Sequence, residues 1–169
     1  MIGDKREVIL WLSNQKDGIY KAEPHRSKRS LSANAYYWQA AGMIAEALEV
    51  STAYVHNMLM RECAPPIDVD GRLMYVFLPD TPEAESDVME SATYHLKPTS
   101  QIRPGKKGQP NFRAYVLLKG SSDFDTKEMS NLINKAVSTC RDLDLTPPPT
   151  ALIKTALRRM KRQEERGKG

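Results

Sequence analysis

Three rings, Tyr36, Tyr37 and Trp38, stand in a row shortly after a basic run, Arg26, Lys28 and Arg29, with Asn34 in between. Cations pair with phosphate oxygens whatever the base sequence, and an aromatic face stacks on any base. Such a combination suits sequence-tolerant contact with a single nucleic-acid strand. Arg103, Lys106, Lys107 and Arg113 form a second basic group in and beside the polar stretch 99–111. Lys154, Arg158, Arg159, Lys161, Arg162, Arg166 and Lys168 form a third, offset only by Glu164 and Glu165. The plainer reading of the rings is packing, because aromatics at helical spacing usually bury apolar area. On that reading Tyr37 and Trp38 belong to the core or its margin and Tyr36 is the exposed one.

Other residue types that carry chemistry are present without the company they need. Asp123 and Asp125, or Asp68 and Asp70, could bind a nuclease metal, but no lysine follows at the apolar strand position such a site uses. Turn-forming and capping roles explain all four. Residues 103–108 lack the spacing and the strand-to-helix setting of a phosphate-binding loop. Ser51 and Ser121 have no base near them in sequence. His56 and Cys63 could share a helix face two turns apart, yet two ligands do not make a zinc site. No catalytic residue, metal or cofactor is expected, and the chain reads as a binding protein and not as an enzyme.

Composition supports a folded, water-facing chain. Its 169 residues are 40% hydrophobic and 27% charged, enough for one domain with a real core. The net charge is +4, whereas residues 151–169 alone carry +5, so the rest sums to −1. Acidic residues gather over 68–90, and such segregation suits a protein that presents one face to a polyanion. Neither a membrane-spanning run nor a secretory leader is evident, and Cys63 and Cys140 lack a Cys-x-x-Cys partner. A cytoplasmic protein with two reduced thiols is expected.

These groups must be positioned by elements that the patterns predict. Asp4 can cap a helix with Val8, Trp11 and Leu12 on one face, ending near Asn14. Residues 16–18 read as a turn and 19–23 as a strand ended by Pro24. Ser30 or Ser32 caps a second helix with Tyr37, Ala41, Ile44 and Leu48 in one stripe, widened by Trp38 and Ala45. Ser51 caps a third, with Val55, Met58 and Leu59 inward and Thr52, His56, Asn57 and Arg61 outward, stopped by Ala64-Pro65-Pro66. A turn at 68–71 leads to a strand over 73–78 and an acidic connection over 79–87 with one helical turn.

A hairpin follows, 93–98 against 112–119, with His95 half-buried and a long basic loop between the strands. Loops beyond about 12 residues tend to be functional or disordered. Gly120-Ser121-Ser122 breaks the second strand, and Asp125 or Thr126 opens a helix with Met129, Leu132, Ile133 and Val137 inward. The sum is an α+β fold: a small antiparallel sheet with packed helices, a basic hairpin loop and a C-terminal basic helix. Residues 1–146 form the nucleic-acid-binding domain, while 147–169 are a semi-rigid proline spacer and the basic helix, whose apolar stripe is Ile153, Leu157 and Met160.

Residues 44–58 resemble a helix-turn-helix. Ala45 is the small residue at the crossing, Val50 the buried corner, and Thr52, Ala53, His56 and Asn57 would face base edges in a major groove. Glu49 departs from that pattern, which prefers glycine because the corner needs positive φ. A plain helical corner would have the same packing needs.

A second resemblance uses more of the chain. Arg29-Ser30-Leu31 followed by Asn34 and Trp38, entered from a short strand after an N-terminal helix, resembles the signature of the phage NinB (Orf) family of recombination mediators. Residues 114–118 running into Gly120-Ser121-Ser122, then a helix with Glu128, Met129 and Leu132, extend it. Residues 29–36 and 125–130 are similar to motifs of related phage proteins, and together these cover about half the chain. Residues 65–109 have no counterpart.

The resemblance implies an α+β homodimer in the host cytoplasm. Such a protein binds single-stranded DNA with little sequence preference, contacts the single-strand binding protein and helps load a recombinase. Arg26, Lys28, Arg29, the loop lysines and the C-terminal helix would supply charge, and Tyr36 or Trp38 the stacking. A different class of reading is an accessory protein that binds a host protein through an acidic DNA-mimicking segment, 80–90.

Overall fold

The computed structural model describes residues 5–16, 18–20 and 31–149. Several expectations lie outside these: the caps at Asp4 and Ser30, Asp17, residues 21–24 of the first strand, Arg26, Lys28, Arg29, and the C-terminal helix with Arg158, Arg159, Lys161 and Arg162.

Helix α1 spans Lys5–Ser13, as the spacing of Val8, Trp11 and Leu12 predicts. Ile19 and Tyr20 are not in a strand. A strand exists only by pairing, and instead Tyr20 packs edge-on against Trp11 with ring centroids 6.1 Å apart. Helix α2 is Leu31–Leu48 and already contains Ser32, so Ser32 does not cap it. Ala33, Ala40, Ala41 and Ala45 are all buried. Their small side chains let neighbouring backbones come close.

The chain then turns into α3, Thr52–Cys63, whose N-cap is Ser51 with its hydroxyl accepting from the Tyr54 N–H at 2.9 Å. At the corner Glu49 has φ 55°. The Val50 N–H donates to the Ala45 carbonyl (3.0 Å) and the Glu49 N–H to the Glu46 carbonyl (3.3 Å), the pair of bonds that ends a helix in a Schellman motif. Left-handed backbone penalises a side-chain-bearing residue, so Glu49→Gly is expected to stabilise the fold by about 1 kcal/mol. Thermal or urea unfolding checks this, and a destabilised variant would mean the Glu49 side chain holds the corner.

Asp68–Val69 (β1) and Arg72–Leu73 (β2) form a small hairpin. Positive φ at both Asp70 (52°) and Gly71 (78°) makes its two-residue turn of the type that matches strand twist. The main sheet comprises β3 (Tyr75–Pro79), β4 (His95–Arg103) and β5 (Phe112–Leu118), antiparallel in the order β3-β5-β4. Strand β4 continues through Pro98 by a register shift before Ile102, so the loop from β4 to β5 shortens to 104–111. Pro98 hid this continuation because proline normally ends or interrupts a strand.

The acidic connection is a full helix, α4, Pro82–Glu90. Thr81 caps it, proline opens it, and Glu83 and Glu85 suit its positive N-terminal dipole end. Only Val88 and Met89 are buried on it, too few for a periodicity to show in sequence.

Helix α5, Thr126–Asp142, opens with a reciprocal capping box between Asp125 and Glu128. Met129, Leu132, Ile133, Ala136 and Cys140 face inward and pack with α2, α3, Leu118 and Phe124 in the main core. A smaller core of Val88, Leu96 and Tyr115, flanked by Leu78 and Leu117, lies between α4 and the sheet. Cys63 and Cys140 are free thiols.

After α5 the proline run does not stand off as a spacer. Pro148 is buried, and its carbonyl accepts the Tyr36 hydroxyl at 3.0 Å, which ties this segment to α2. Among the described residues no helix is long and apolar enough to cross a membrane.

Candidate functional site

A pocket of about 350 Å³ opens where five segments meet. Helix α2 supplies Trp38, α3 supplies Ala53 and His56, and the turn before β4 supplies Ser91, Ala92 and Thr93. His95 of β4 and the Gly120-Ser121-Ser122 segment after β5 complete the lining.

Four rings line up beside it. Trp38 lies 4.8 Å from His56 at 40°, Tyr37 lies 5.2 Å from Trp38 and 5.6 Å from His56, and His95 meets His56 edge-on at 4.8 Å. The Tyr37 hydroxyl is 2.6 Å from His56 Nδ1. Burial pushes the Tyr37 pKa far up, so its hydroxyl keeps its proton. The other ring nitrogen of His56, Nε2, lies 3.5 Å from Ser121 Oγ. Both ring nitrogens of His56 thus face a hydroxyl, Tyr37's on one side and Ser121's on the other.

His95 is fixed by a second network. Its Nδ1 is 2.6 Å from Asn57 Oδ1, while Asn57 Nδ2 donates to the carbonyls of Ala53 (3.2 Å), Met89 (2.9 Å) and Ser91 (2.8 Å). With Asn57 so oriented, Nδ1 of His95 is the protonated nitrogen. Burial holds the His95 pKa below its usual value.

The expected binding residues scatter relative to this pocket. Trp38 is on its rim and 39% exposed, whereas Tyr36 is only 1% exposed, the reverse of the sequence expectation. Tyr36 turns toward α5 and Pro148, and its hydroxyl is used there. Asn34 is half-buried in α2. Arg103, Lys106 and Lys107 are exposed at the far end of the hairpin, with the Arg103 guanidinium 3.8 Å from the Phe77 ring centroid. Arg113 grips Asp80 through Nε (2.7 Å) and Nη2 (3.1 Å) and the Thr99 carbonyl through Nη1 (2.9 Å), so its cation serves the sheet. His95 pairs with Leu118 and Arg103 with Phe112, six residues along β5, so pocket and basic tip are separated by about 20 Å.

His56 (6% exposed) and Asn57 (2%) are buried, not outward as the helix-turn-helix pattern expects. Helix α4 and strand β4 cover that face of α3, and neither was visible to a reading of α2 and α3 alone. Sequence reasoning passed over Thr93, weighed Ser121 only as a nucleophile without a base, and took Ser122 only as part of a strand break. The signal was the run of small polar residues directly after an apolar strand, where loops held by a rigid scaffold tend to bind. No protein-family model, curated protein or solved structure matches this chain.

Proposed function

We propose that the protein is a recombination mediator that binds single-stranded DNA without sequence preference and assists the loading of a recombinase. The observation that carries the reading is Trp38, an exposed indole backed by His56 on the rim of a pocket. Such a ring offers every base the same stacking face, and exposed cations at the hairpin tip can engage the phosphates of an extended strand. The motif of Arg29, Asn34 and Trp38 places this ring within the resemblance to the NinB family, which adds the homodimer, the single-strand binding protein and the recombinase as partners.

The competing readings lose support. The duplex-reading alternative needs His56 and Asn57 at base edges, and both are buried. The DNA-mimic alternative needs a run of free acids, yet three of the five over 80–90 are engaged, Asp80 with Arg113, Glu85 with Arg61 and Glu90 with Ser51, which leaves Glu83 and Asp87.

Fluorescence anisotropy of labelled single-stranded and duplex oligonucleotides across a salt series tests the proposal. Single strands are expected to bind more tightly, with log affinity falling against log salt at about −0.7 per phosphate contact, or roughly −4 for six. Equal or tighter duplex binding would overturn it.

A further inference from the structure

Among the described residues the pocket lining contains no lysine, arginine, aspartate or glutamate. The described lining of aromatic rings, hydroxyls and small side chains suits a neutral, planar, hydrogen-bonding part of a ligand. Trp38 is the large exposed ring, and its contacts with Tyr37 and His56 hold the indole plane in place. The floor is rigid as well, because His56 and His95 are each tied through Nδ1 to a buried partner. On the rim, Thr93 and Ser122 are exposed hydroxyl residues, and Ala53, Ala92 and Gly120 are small enough to leave the volume open.

We infer that this pocket receives one unstacked nucleobase, with Trp38 stacked on its face and the hydroxyls of Thr93 and Ser122 bonding its edge. A hydroxyl rotates to donate or to accept, so such an edge contact serves purines and pyrimidines alike. The pocket therefore anchors a strand at one nucleotide without reading its identity. This inference rests on the single-strand reading, since a base in a duplex is neither unstacked nor unpaired.

The test uses the full chain with Trp11→Phe, which leaves Trp38 as the sole tryptophan. Adenosine and thymidine are titrated while Trp38 emission is followed, and saturable quenching by both is expected. Ala92→Phe and Ser122→Phe each fill the pocket from a different exposed segment, and each is expected to raise the nucleoside Kd about tenfold. Circular dichroism and the melting temperature identify which variants fold, so either one alone suffices.

Unchanged Trp38 emission with nucleosides, while single-stranded oligonucleotides still bind, would overturn the pocket and leave the mediator reading in place. Nucleoside affinity unaffected by filling would overturn it too. Pocket-dependent nucleoside binding with no oligonucleotide binding would support the base pocket and remove the mediator reading.

Discussion

Truncating Asn57 to alanine is expected to lower the unfolding free energy by about 3 kcal/mol. This one amide joins three elements of the fold. Its nitrogen satisfies the Met89 and Ser91 carbonyls at the end of α4, where the last turn of a helix leaves carbonyls without internal partners. Its oxygen takes the His95 Nδ1 proton from β4. Asn57 is only 2% exposed, so its removal strands the buried Met89 carbonyl and the His95 Nδ1 donor and frees the part-buried Ser91 carbonyl.

Leucine at this position would fill the space and leave the same groups unpaired, so it is not expected to rescue. Urea unfolding at unchanged m gives the comparison. A loss under about 1 kcal/mol would show that the clasp carries no weight. The same variant separates two functional readings, because a base-reading Asn57 would cost duplex affinity and leave stability intact.

Trp38→Ala is expected to weaken single-strand binding by about tenfold or more, from a stacking contribution of roughly 1–3 kcal/mol per base. No charge is removed, so the salt slope should stay unchanged while the affinity curve shifts in parallel. Trp38→Phe keeps a stacking face and should recover most of the loss. Since Trp38 also packs on Tyr37 and His56, the alanine variant needs its melting temperature measured beside its affinity. Parent-like affinity in a folded Trp38→Ala protein would sink the stacking platform, and a changed slope would assign the effect to displaced cations.

Local signals determined much of this fold. Ser51 and the Asp125–Glu128 pair cap helices because their side chains satisfy the first free N–H groups, which needs nothing beyond three residues away. Ala64-Pro65-Pro66 stops α3, and the positive φ that the corner demands falls at Glu49, the position where a glycine was missing. The hairpin partners were legible from their apolar runs, and the α+β class followed.

Tertiary structure decided which faces are covered. Successive residues on a helix point about 100° apart, so Tyr36, Tyr37 and Trp38 face three directions. Their types do not say which one meets solvent. The returning proline run covers Tyr36, α3 meets Tyr37 through His56, and Trp38 is left at the rim.

The same logic buried His56 and Asn57. His56 meets Tyr37 and Trp38 of α2, and α4 and β4 arrive from a later part of the sequence to close over Asn57 and the rest of that face. Sequence by itself thus determined helices α1, α2, α3 and α5, their stops and the pairing of the hairpin strands, because those depend on neighbours along the chain, whereas α4 and the continuation of β4 past Pro98 did not show. The pocket, its fixed histidines and the exposure of Trp38 came only from packing, because they depend on neighbours brought from 19 to 112 residues away.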